Sequence, residues 1–182
     1  MYVDDRYAFS LGYAQLLNQK LHSGLEISDE RLAELKHISD FGKAYERALM
    51  YAMLRPRSIR EMHNYARRKK IATEDAQAII AKLVDKQYVN DLNFARSWVE
   101  NRLFANKTSK RKLQLELKQK GIADDIIHGA LEAANVNDNN ALAQLIAKKR
   151  KLARYATDDQ KLMRYLAGQG FGFEDIKLAL EH

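Results

Sequence analysis

Apolar residues recur along this 182-residue chain in a pattern that appears three times. The segment K-L-Q-L-E-L-K-Q-K-G-I-A-D-D-I-I-H-G-A-L at 112–131 has weaker copies at 61–80 and 161–180, at offsets of 51 and 49 residues. A repeat of about 50 residues with helical spacing predicts a tandem array of three-helix units. The offsets align Met62 with Leu113 and Leu162, Ala66 with Leu117 and Leu166, Ile71 with Ile122 and Phe171, Ala76 with Ile127 and Ile176, and Ile80 with Leu131 and Leu180.

Each copy predicts the same three helices. The first helix is long and amphipathic, and Pro56 marks its end in the first copy, since the residue before a proline disfavours helix. The second helix ends at a turn where Gly121 and Gly170 supply a left-handed residue. The third helix starts with acidic residues that suit a helix N-terminus. The predicted first helices are 43–54, 91–104 and 139–155, and the predicted third helices begin at Thr73, Asp124 and Phe173.

The segment before the array has a different pattern. Asp4-Asp5 between short apolar stretches predicts a β-hairpin, and a chain that starts inside a strand predicts further residues upstream in the natural protein. Two helices are expected, at 13–21 and 28–38, the second with Ser28 as its N-cap. We therefore predict an all-α fold, an elongated and curved array of helix-turn-helix-like repeats behind a small extension. The boundaries are 1–42 for the extension and 43–90, 91–138 and 139–182 for the repeats.

Charge divides the chain in the same way. Residues 1–42 have a net charge of −3, whereas the rest carries +10. A basic array favours a polyanion or an acidic protein surface as partner, although basic residues also serve solubility alone. No cysteine, no apolar run of about 18 residues and no signal peptide are present, which predicts a cytoplasmic protein without disulfides. The closing Leu-Glu-His is typical of a tag remnant, so Glu181 and His182 receive no functional weight.

No catalytic pattern is found. The histidines lack the H-x-x-x-H and H-E-x-x-H spacings, and neither phosphate-binding glycine motif occurs. Gly168, Gly170 and Gly172 follow a predicted helix rather than a strand, which makes them turn residues. The sequence therefore predicts a protein that is not an enzyme and that uses no metal or cofactor.

Basic residues recur at equivalent positions on the outer side of the second helix. Arg60 and Arg67 in the first copy correspond to Arg111 and Lys118 in the second, opposite the apolar face. In the third copy the first helix carries the run, with Lys149 directed towards the apolar side, where it would snorkel. The candidate contacts to a polyanion such as DNA, or to an acidic protein surface, are Arg60, Arg67, Arg68, Lys69, Lys70, Lys110, Arg111, Lys112, Lys118, Lys120, Lys148, Arg150, Lys151 and Arg154, with Lys107 and Arg164 nearby.

Other positions qualify this interpretation. The third helices all begin with acids, which disfavours sequence-specific reading of duplex DNA by them. Tyr88 and Trp98 are candidates for base stacking, but packing is the favoured role. Tyr88 and Val89 are expected to seal the core after the third helix, and Trp98 to pack between repeats. Leu115 lies between Arg111 and Lys118 on the helical wheel, outside the buried arc. This position makes it a candidate protein contact.

Four stretches in this order resemble the RecX family, regulators of the RecA recombinase. They are R-P-R-S at 55–58, Y-V-N-D-L-N-F-A-R at 88–96, E-L-K-Q-K-G-I at 116–122 and K-L-M-R-Y-L-A-G-Q-G-F-G-F-E-D-I at 161–176. The resemblance covers about residues 43–180. Lys70 and Gln87 stand where the family usually has glycine, and Thr108-Ser109 replaces a glycine-containing turn, which lowers turn propensity at these points.

The resemblance implies a monomeric, non-catalytic protein that binds the RecA–single-stranded DNA filament and inhibits its ATP hydrolysis and strand exchange in DNA repair. Single-stranded DNA and, more weakly, duplex DNA are expected as partners, and no membrane. Two alternatives remain open from the residues alone: a general nucleic-acid-binding helical module, and a helical adaptor for an acidic protein.

Overall fold

The computed structural model describes residues 1–105 and 108–181, so Lys107 and His182 lie outside the described residues. Across this part of the chain, the helices confirm the predicted all-α class. The strands are β1 (Tyr2–Val3) and β2 (Arg6–Tyr7). The helices are α1 (Tyr13–Asn18), α2 (Asp29–Met53), α3 (Ile59–Arg68), α4 (Thr73–Asp85), α5 (Asp91–Phe104), α6 (Lys110–Gln119), α7 (Asp124–Ala133), α8 (Asp138–Arg150), α9 (Ala153–Ala156), α10 (Asp159–Gly168) and α11 (Phe173–Glu181).

The helices belong to two compact units. The first unit comprises Met1–Arg55 and Met62–Val89, and the second comprises Pro56–Glu61 and Asn90–His182. The third helices of the three repeats begin at the predicted residues, as α4, α7 and α11. Thirteen of the fifteen aligned apolar positions are buried, and the other two, Ile71 and Leu180, are half-buried. The repeated pattern therefore predicted which faces of the helices are buried.

The first unit opens with the predicted hairpin. Tyr2 pairs with Tyr7 and Val3 with Arg6, in antiparallel register. Asp4 and Asp5 form the turn with φ angles of 48° and 61°, which aspartate tolerates better than most residues other than glycine. The terminal ammonium of Met1 donates to the carbonyl oxygen of Phe9 at 2.7 Å. The turn thus closes one end of the hairpin, and the hydrogen bond from Met1 to Phe9 closes the other.

The prediction of separate helices at 28–38 and 43–54 is wrong. The structure has one helix of 25 residues, α2, which is helical through residues 39–42 as well. Ser28 caps this helix as predicted, because its Oγ accepts from the Arg31 N–H at 3.2 Å. Gly42 does not interrupt the helix; a side chain there would begin 2.7 Å from Nε2 of Gln15. The Gln15 side chain thus lies close against α2 at this position. Helix α1 ends at Asn18, three residues before its predicted end.

The predicted first helix of the third repeat, 139–155, is also wrong at its C-terminal end. Helix α8 ends at Arg150, and Leu152 takes an extended conformation before the short helix α9. The Arg150 guanidinium donates to the carbonyl oxygens of Tyr155 and Ala156, at 3.1 and 3.3 Å. This bend accompanies burial of Tyr155 in the core formed by α8, α10 and α11. The helix breaks because a tertiary contact competes with continued helical hydrogen bonding.

In all three repeats the second helix is followed by a residue in the left-handed backbone conformation, with positive φ. Gly121 and Gly170 have φ angles of 80° and 89°, as predicted from their position. Lys70 occupies the equivalent place in the first repeat with φ of 55°, and Gln87 ends α4 with φ of 59°. A side chain at such an angle strains the backbone by about 1–2 kcal/mol. The departures from glycine therefore cost stability without changing the turn.

We expect Lys70→Gly to raise the free energy of unfolding by about 0.5–1 kcal/mol, since relief of the strain exceeds the entropy cost of glycine. The matched control is Lys69→Gly, which removes the same charge from the preceding residue, where φ is not positive. That control should be neutral or destabilising. Chemical denaturation of both variants measures the difference, and equal effects would contradict a strained left-handed Lys70.

Candidate nucleic-acid interface

In the first unit the predicted basic residues lie at the C-terminal end of α3 and in the turn after it. All four of Arg67, Arg68, Lys69 and Lys70 are exposed. Arg67 donates to the Asn64 side chain at 2.9 Å, and Arg68 donates to the Tyr51 hydroxyl at 3.4 Å. Lys69 and Lys70 follow the last residue of α3. Positive side chains near a helix C-terminus are also favoured by the helix dipole. This cluster is available for phosphate contacts and stabilises its own helix.

The remaining candidates belong to the second unit, where two copies of one arrangement fix the starts of α3 and α6. In the first copy, the Ser58 Oγ accepts from the Glu61 N–H at 3.1 Å and donates to the Lys120 carbonyl oxygen at 2.9 Å. The Asp91 carboxylate accepts from the Ile59 N–H at 2.8 Å. One serine and one aspartate thus satisfy N–H groups at the start of α3 that have no partner inside the helix.

The second copy uses equivalent residues. The Ser109 Oγ accepts from the Lys112 N–H at 3.2 Å, and the Ser109 N–H donates to the Gln169 carbonyl oxygen at 3.1 Å. The Asp138 carboxylate accepts from the Lys110 N–H at 2.7 Å. We call each copy a serine–aspartate junction. Ser58 and Ser109 are both fully buried, so these hydrogen bonds are shielded from water.

Glycine is required where each junction meets a turn. A Cβ on Gly121 would lie 2.7 Å from Cδ of Arg60, and one on Gly170 would lie 2.5 Å from the Ser109 Oγ. These glycines therefore serve both the left-handed turn and the close approach of a second segment. Thr108 and Ser109 are buried, at 4% and 0% exposure, so their replacement of a glycine-containing turn builds the junction rather than weakening it.

Three of the predicted contact residues are held by interactions within the second unit. The Lys120 ammonium pairs with the Glu61 carboxylate at 2.9 Å and lies 4.9 Å from the centre of the Trp98 ring. The Lys112 ammonium donates to the Gly168 carbonyl oxygen at 2.8 Å. Arg150, the last residue of α8, donates to backbone carbonyl oxygens at the end of α9. These cations stabilise the fold, and binding a phosphate would compete with those contacts.

The outer face of α6 presents an apolar side chain between two cations. Arg111 and Lys118 are exposed, and Leu115 is 56% exposed, as predicted from the helical wheel. Lys118 forms an ion pair with Asp124 at 2.9 Å, in which both side chains remain mostly exposed. Arg60, on α3, is also exposed. We call Arg111, Leu115 and Lys118 the α6 face.

A second exposed basic group lies at the end of α8 and in α9. Lys148 and Lys151 are exposed, and the Arg154 guanidinium lies 4.6 Å from the centre of the Tyr155 ring. Lys149 points to the apolar side as predicted, with its ammonium 4.3 Å from the centre of the Tyr165 ring. Neighbouring lysines in this run therefore differ in exposure, because the helical period sets which side chains face the core.

The aromatic candidates for base stacking occupy different environments. Trp98 packs against Phe94 in the core of the second repeat, and both Arg102 and Lys120 lie about 5 Å from its ring centre. Its indole N–H donates to Glu116 at 2.9 Å. These contacts favour a packing role for Trp98. Of the two residues expected to seal the core after the third helix, Val89 does so and is fully buried, whereas Tyr88 is 44% exposed.

Within residues 1–105 and 108–181, no cluster of three His, Cys, Asp or Glu side chains has the geometry to hold a metal ion. No helix in the same residues is both long and apolar enough to span a bilayer.

Known proteins resemble this chain along its whole length. The family described as "RecX, second three-helix domain" matches residues 90–131, which contain α5, α6 and nearly all of α7. A regulatory protein RecX of Lactobacillus gasseri is 33% identical over 188 residues, covering 100% of this chain and 68% of the relative. This chain belongs to the RecX family. The RecX proteins of Bacillus pumilus and Bacillus subtilis are 31% and 30% identical, each across 100% of this chain and 70% of their own length.

Solved RecX structures share the fold. A crystal structure of regulatory protein RecX superposes with a TM-score of 0.77 at 23% identity, covering 100% of this chain and 91% of that one. The crystal structure of RecX from Lactobacillus salivarius has a TM-score of 0.63 at 27% identity, covering 78% of this chain and 95% of that one. The helical architecture described above is therefore one that RecX proteins adopt.

The Asp91 carboxylate tests the importance of the junction. Asp91→Asn keeps an oxygen that accepts from the Ile59 N–H, whereas Asp91→Ala leaves that N–H without its partner. We expect Asp91→Ala to lower the free energy of unfolding by about 1–3 kcal/mol and Asp91→Asn to lower it much less at pH 7. Urea denaturation of both variants measures this, and equal losses would show that the hydrogen bond contributes little.

The same carboxyl predicts a pH dependence. Burial raises the pKa of Asp91 above its ordinary value of 3.8, and the hydrogen bond from Ile59 only partly opposes this. The folded protein then holds the proton more tightly than the unfolded chain does. The contribution of Asp91 to stability therefore decreases as the pH rises from 3.8 through the raised pKa. The difference in unfolding free energy between parent and Asp91→Asn should show this fall, and a difference independent of pH would contradict it.

Proposed function

We propose that this chain is a non-catalytic regulator that binds the RecA–single-stranded DNA filament and inhibits its ATP hydrolysis and strand exchange, and so modulates DNA repair. Family membership supports the regulatory role, because the matched relatives bear the name regulatory protein RecX. The observation that carries the proposal for a binding surface is the α6 face, where exposed Leu115 lies between two exposed cations.

The chemistry of the α6 face suits a partner that combines protein and nucleic acid. Arg111 has no hydrogen-bond or ion-pair partner among the described residues, so a phosphate can bind it without breaking a contact. The exposed pair of Lys118 with Asp124 contributes at most about 1 kcal/mol, so exchange for a phosphate costs little. Leu115 gains nothing from a phosphate, but it would be buried against a protein surface. A nucleoprotein filament supplies both kinds of contact.

The other exposed cations would add phosphate contacts without reading sequence. Neither of the other exposed basic groups includes a helix placed to contact base edges. These groups are residues 67–70 in the first unit, and Lys148, Lys151 and Arg154 in the second. The third helices begin with acids that would repel a duplex backbone. Binding of bare DNA is therefore weak, indifferent to sequence, stronger for single strands than for duplex, and lost as salt rises.

The proposal extends to the organisation of the protein. It acts in the cytoplasm as a monomer, with an N-terminal extension at 1–42 and repeats at 43–90, 91–138 and 139–182 as its functional segments. These segments are defined by the repeat in the sequence rather than by helix ends. A general nucleic-acid module would bind bare DNA as well as the filament, and an adaptor for an acidic protein would need no DNA.

Charge reversal on the α6 face tests the proposal. We expect Arg111→Glu/Lys118→Glu to raise the concentration needed for half-inhibition of RecA ATP hydrolysis on the order of tenfold, or about 1.4 kcal/mol. The control, Lys161→Glu/Lys177→Glu, makes the same total change in charge at exposed positions of the second unit outside the candidate set. Both variants should unfold within about 0.5 kcal/mol of the parent.

Inhibition of RecA by the reversed variant at the parent's concentration would exclude the α6 face as the binding surface. Failure of the parent itself to inhibit or bind the filament would exclude the proposed function as a whole. An equal loss in the control variant would show that only net charge matters.

Leu115 separates protein contact from DNA contact. Leu115→Ala should weaken binding to the RecA–DNA filament more than binding to bare single-stranded DNA, because an apolar side chain needs a protein partner. The exposed Leu178 on α11, changed to Ala, is the matched control. Fluorescence anisotropy with labelled oligonucleotide, alone or coated with RecA, measures both affinities. An equal loss in the two assays would contradict a protein contact at this residue.

A further inference from the structure

The first unit contains an open cleft between α2 and α4 with an aromatic floor. Phe41, Tyr45, Ile38 and Gly42 line it from α2, and its volume is about 440 Å³. Clefts of about 300–1,000 Å³ are typical of small-ligand sites. Phe41 and Tyr45 are each half-buried, which leaves part of both side chains accessible. The floor therefore offers aromatic surface to a flat ring.

The rim of this cleft is positively charged. Lys82 on α4 and Lys86, the C-cap residue of that helix, line it and are exposed. The Lys82 ammonium lies 5.3 Å from the centre of the Phe41 ring, so a cation and an aromatic face are adjacent. Among the described residues that line the cleft, none is acidic. Asp75, which contacts the lining residue His37, is 3.1 Å from its Nε2 and thus has a partner.

An aromatic floor beneath a cationic, acid-free rim fits a ligand that is itself aromatic and anionic. A nucleotide has both properties, since its base stacks on aromatic side chains and its phosphate attracts lysine. We propose that this cleft binds one nucleotide of a single-stranded DNA, with the base against Phe41 and Tyr45 and the adjoining phosphate at Lys82 and Lys86. The site uses none of the residues assigned to the proposed function.

A strand is favoured over a free nucleotide because the cleft is open. Sites for free small ligands usually enclose most of the ligand surface, whereas a strand can bind through several open sites in turn. Duplex DNA is disfavoured because its bases are stacked away from any such floor. The equivalent positions of the second repeat, offset by 51 residues, are Leu92 and Arg96 for the aromatics and Ala133 and Asn137 for the lysines. The cleft chemistry is therefore specific to the first unit.

The phosphate half of the proposal is tested on the full chain without RecA, so its outcome is independent of filament binding. Each single-strand phosphate contact contributes about 0.7 to the slope of log affinity against log salt. Lys82→Gln/Lys86→Gln should therefore reduce that slope for labelled oligo(dT) by about 1.4. Lys20→Gln/Lys36→Gln, which removes two charges from the same unit outside the cleft lining, should leave it close to the parent's. A parent-like slope in the first variant would overturn the proposal.

The base half is tested by stacking and cross-linking. Tyr45→Leu keeps an apolar side chain but removes the ring, and should weaken oligo(dT) binding at least about fivefold with an unchanged melting temperature. Oligo(dT) carrying 5-iodouracil should cross-link to Phe41 or Tyr45 when illuminated, as located by mass spectrometry. Cross-links found only outside the cleft would overturn the proposal. Protection by dTMP at the same nucleotide concentration would make a free nucleotide, not a strand, the ligand.

Discussion

The serine–aspartate junction is the contact on which the arrangement of the second unit depends. A helix starts with N–H groups that have no partner inside it, and burial without partners costs about 1–3 kcal/mol for each. At both junctions a buried serine and the first aspartate of a later helix supply these partners. No buried side-chain nitrogen or oxygen lacks a hydrogen bond in the described part of the chain. All buried polar side-chain atoms in this part of the chain are thus hydrogen-bonded. Hydrogen bonds as well as apolar packing therefore specify how the buried segments meet.

The junctions also determine which cations can reach a partner. Lys112 and Lys120 flank α6 on the side of the junctions and are held there by a carbonyl oxygen and by Glu61. Arg111 and Lys118, on the same helix, point outward. A single basic helix thus contains two classes of lysine and arginine, one that stabilises the protein and one that is available for binding. Charge reversal should distinguish the two classes, because it should destabilise the protein only at the residues that stabilise the fold.

Much of this fold follows from local pattern. The apolar register, the hairpin, the glycine turns and the starts of α4, α7 and α11 depend on residues close in sequence, and each was predictable. The continuity of α2 through residue 42 was not predictable. The break after Arg150 was not either, because it accompanies the hydrogen bonds from Arg150 to α9 and the burial of Tyr155.

The candidate site also has parts that the sequence predicted and parts that it did not. The helical wheel placed Arg111, Leu115 and Lys118 outward, but it could not show that Lys112 reaches Gly168, 56 residues away. The junction residues were missed, although Ser58 and Ser109 recur at the repeat offset and Asn-Asp recurs at 90–91 and 137–138. The cleft of the first unit was hidden because its aromatics and lysines come from separate helices.

The central claim is that the partner is the filament rather than DNA or RecA alone. Co-sedimentation of the chain with RecA, with single-stranded DNA and with the assembled filament tests it most directly. At a salt concentration that abolishes binding to bare DNA, we predict that the chain sediments with the filament and stays in the supernatant with either component alone. Recovery with bare DNA to the same extent as with the filament, or recovery with RecA in the absence of DNA, would contradict the account.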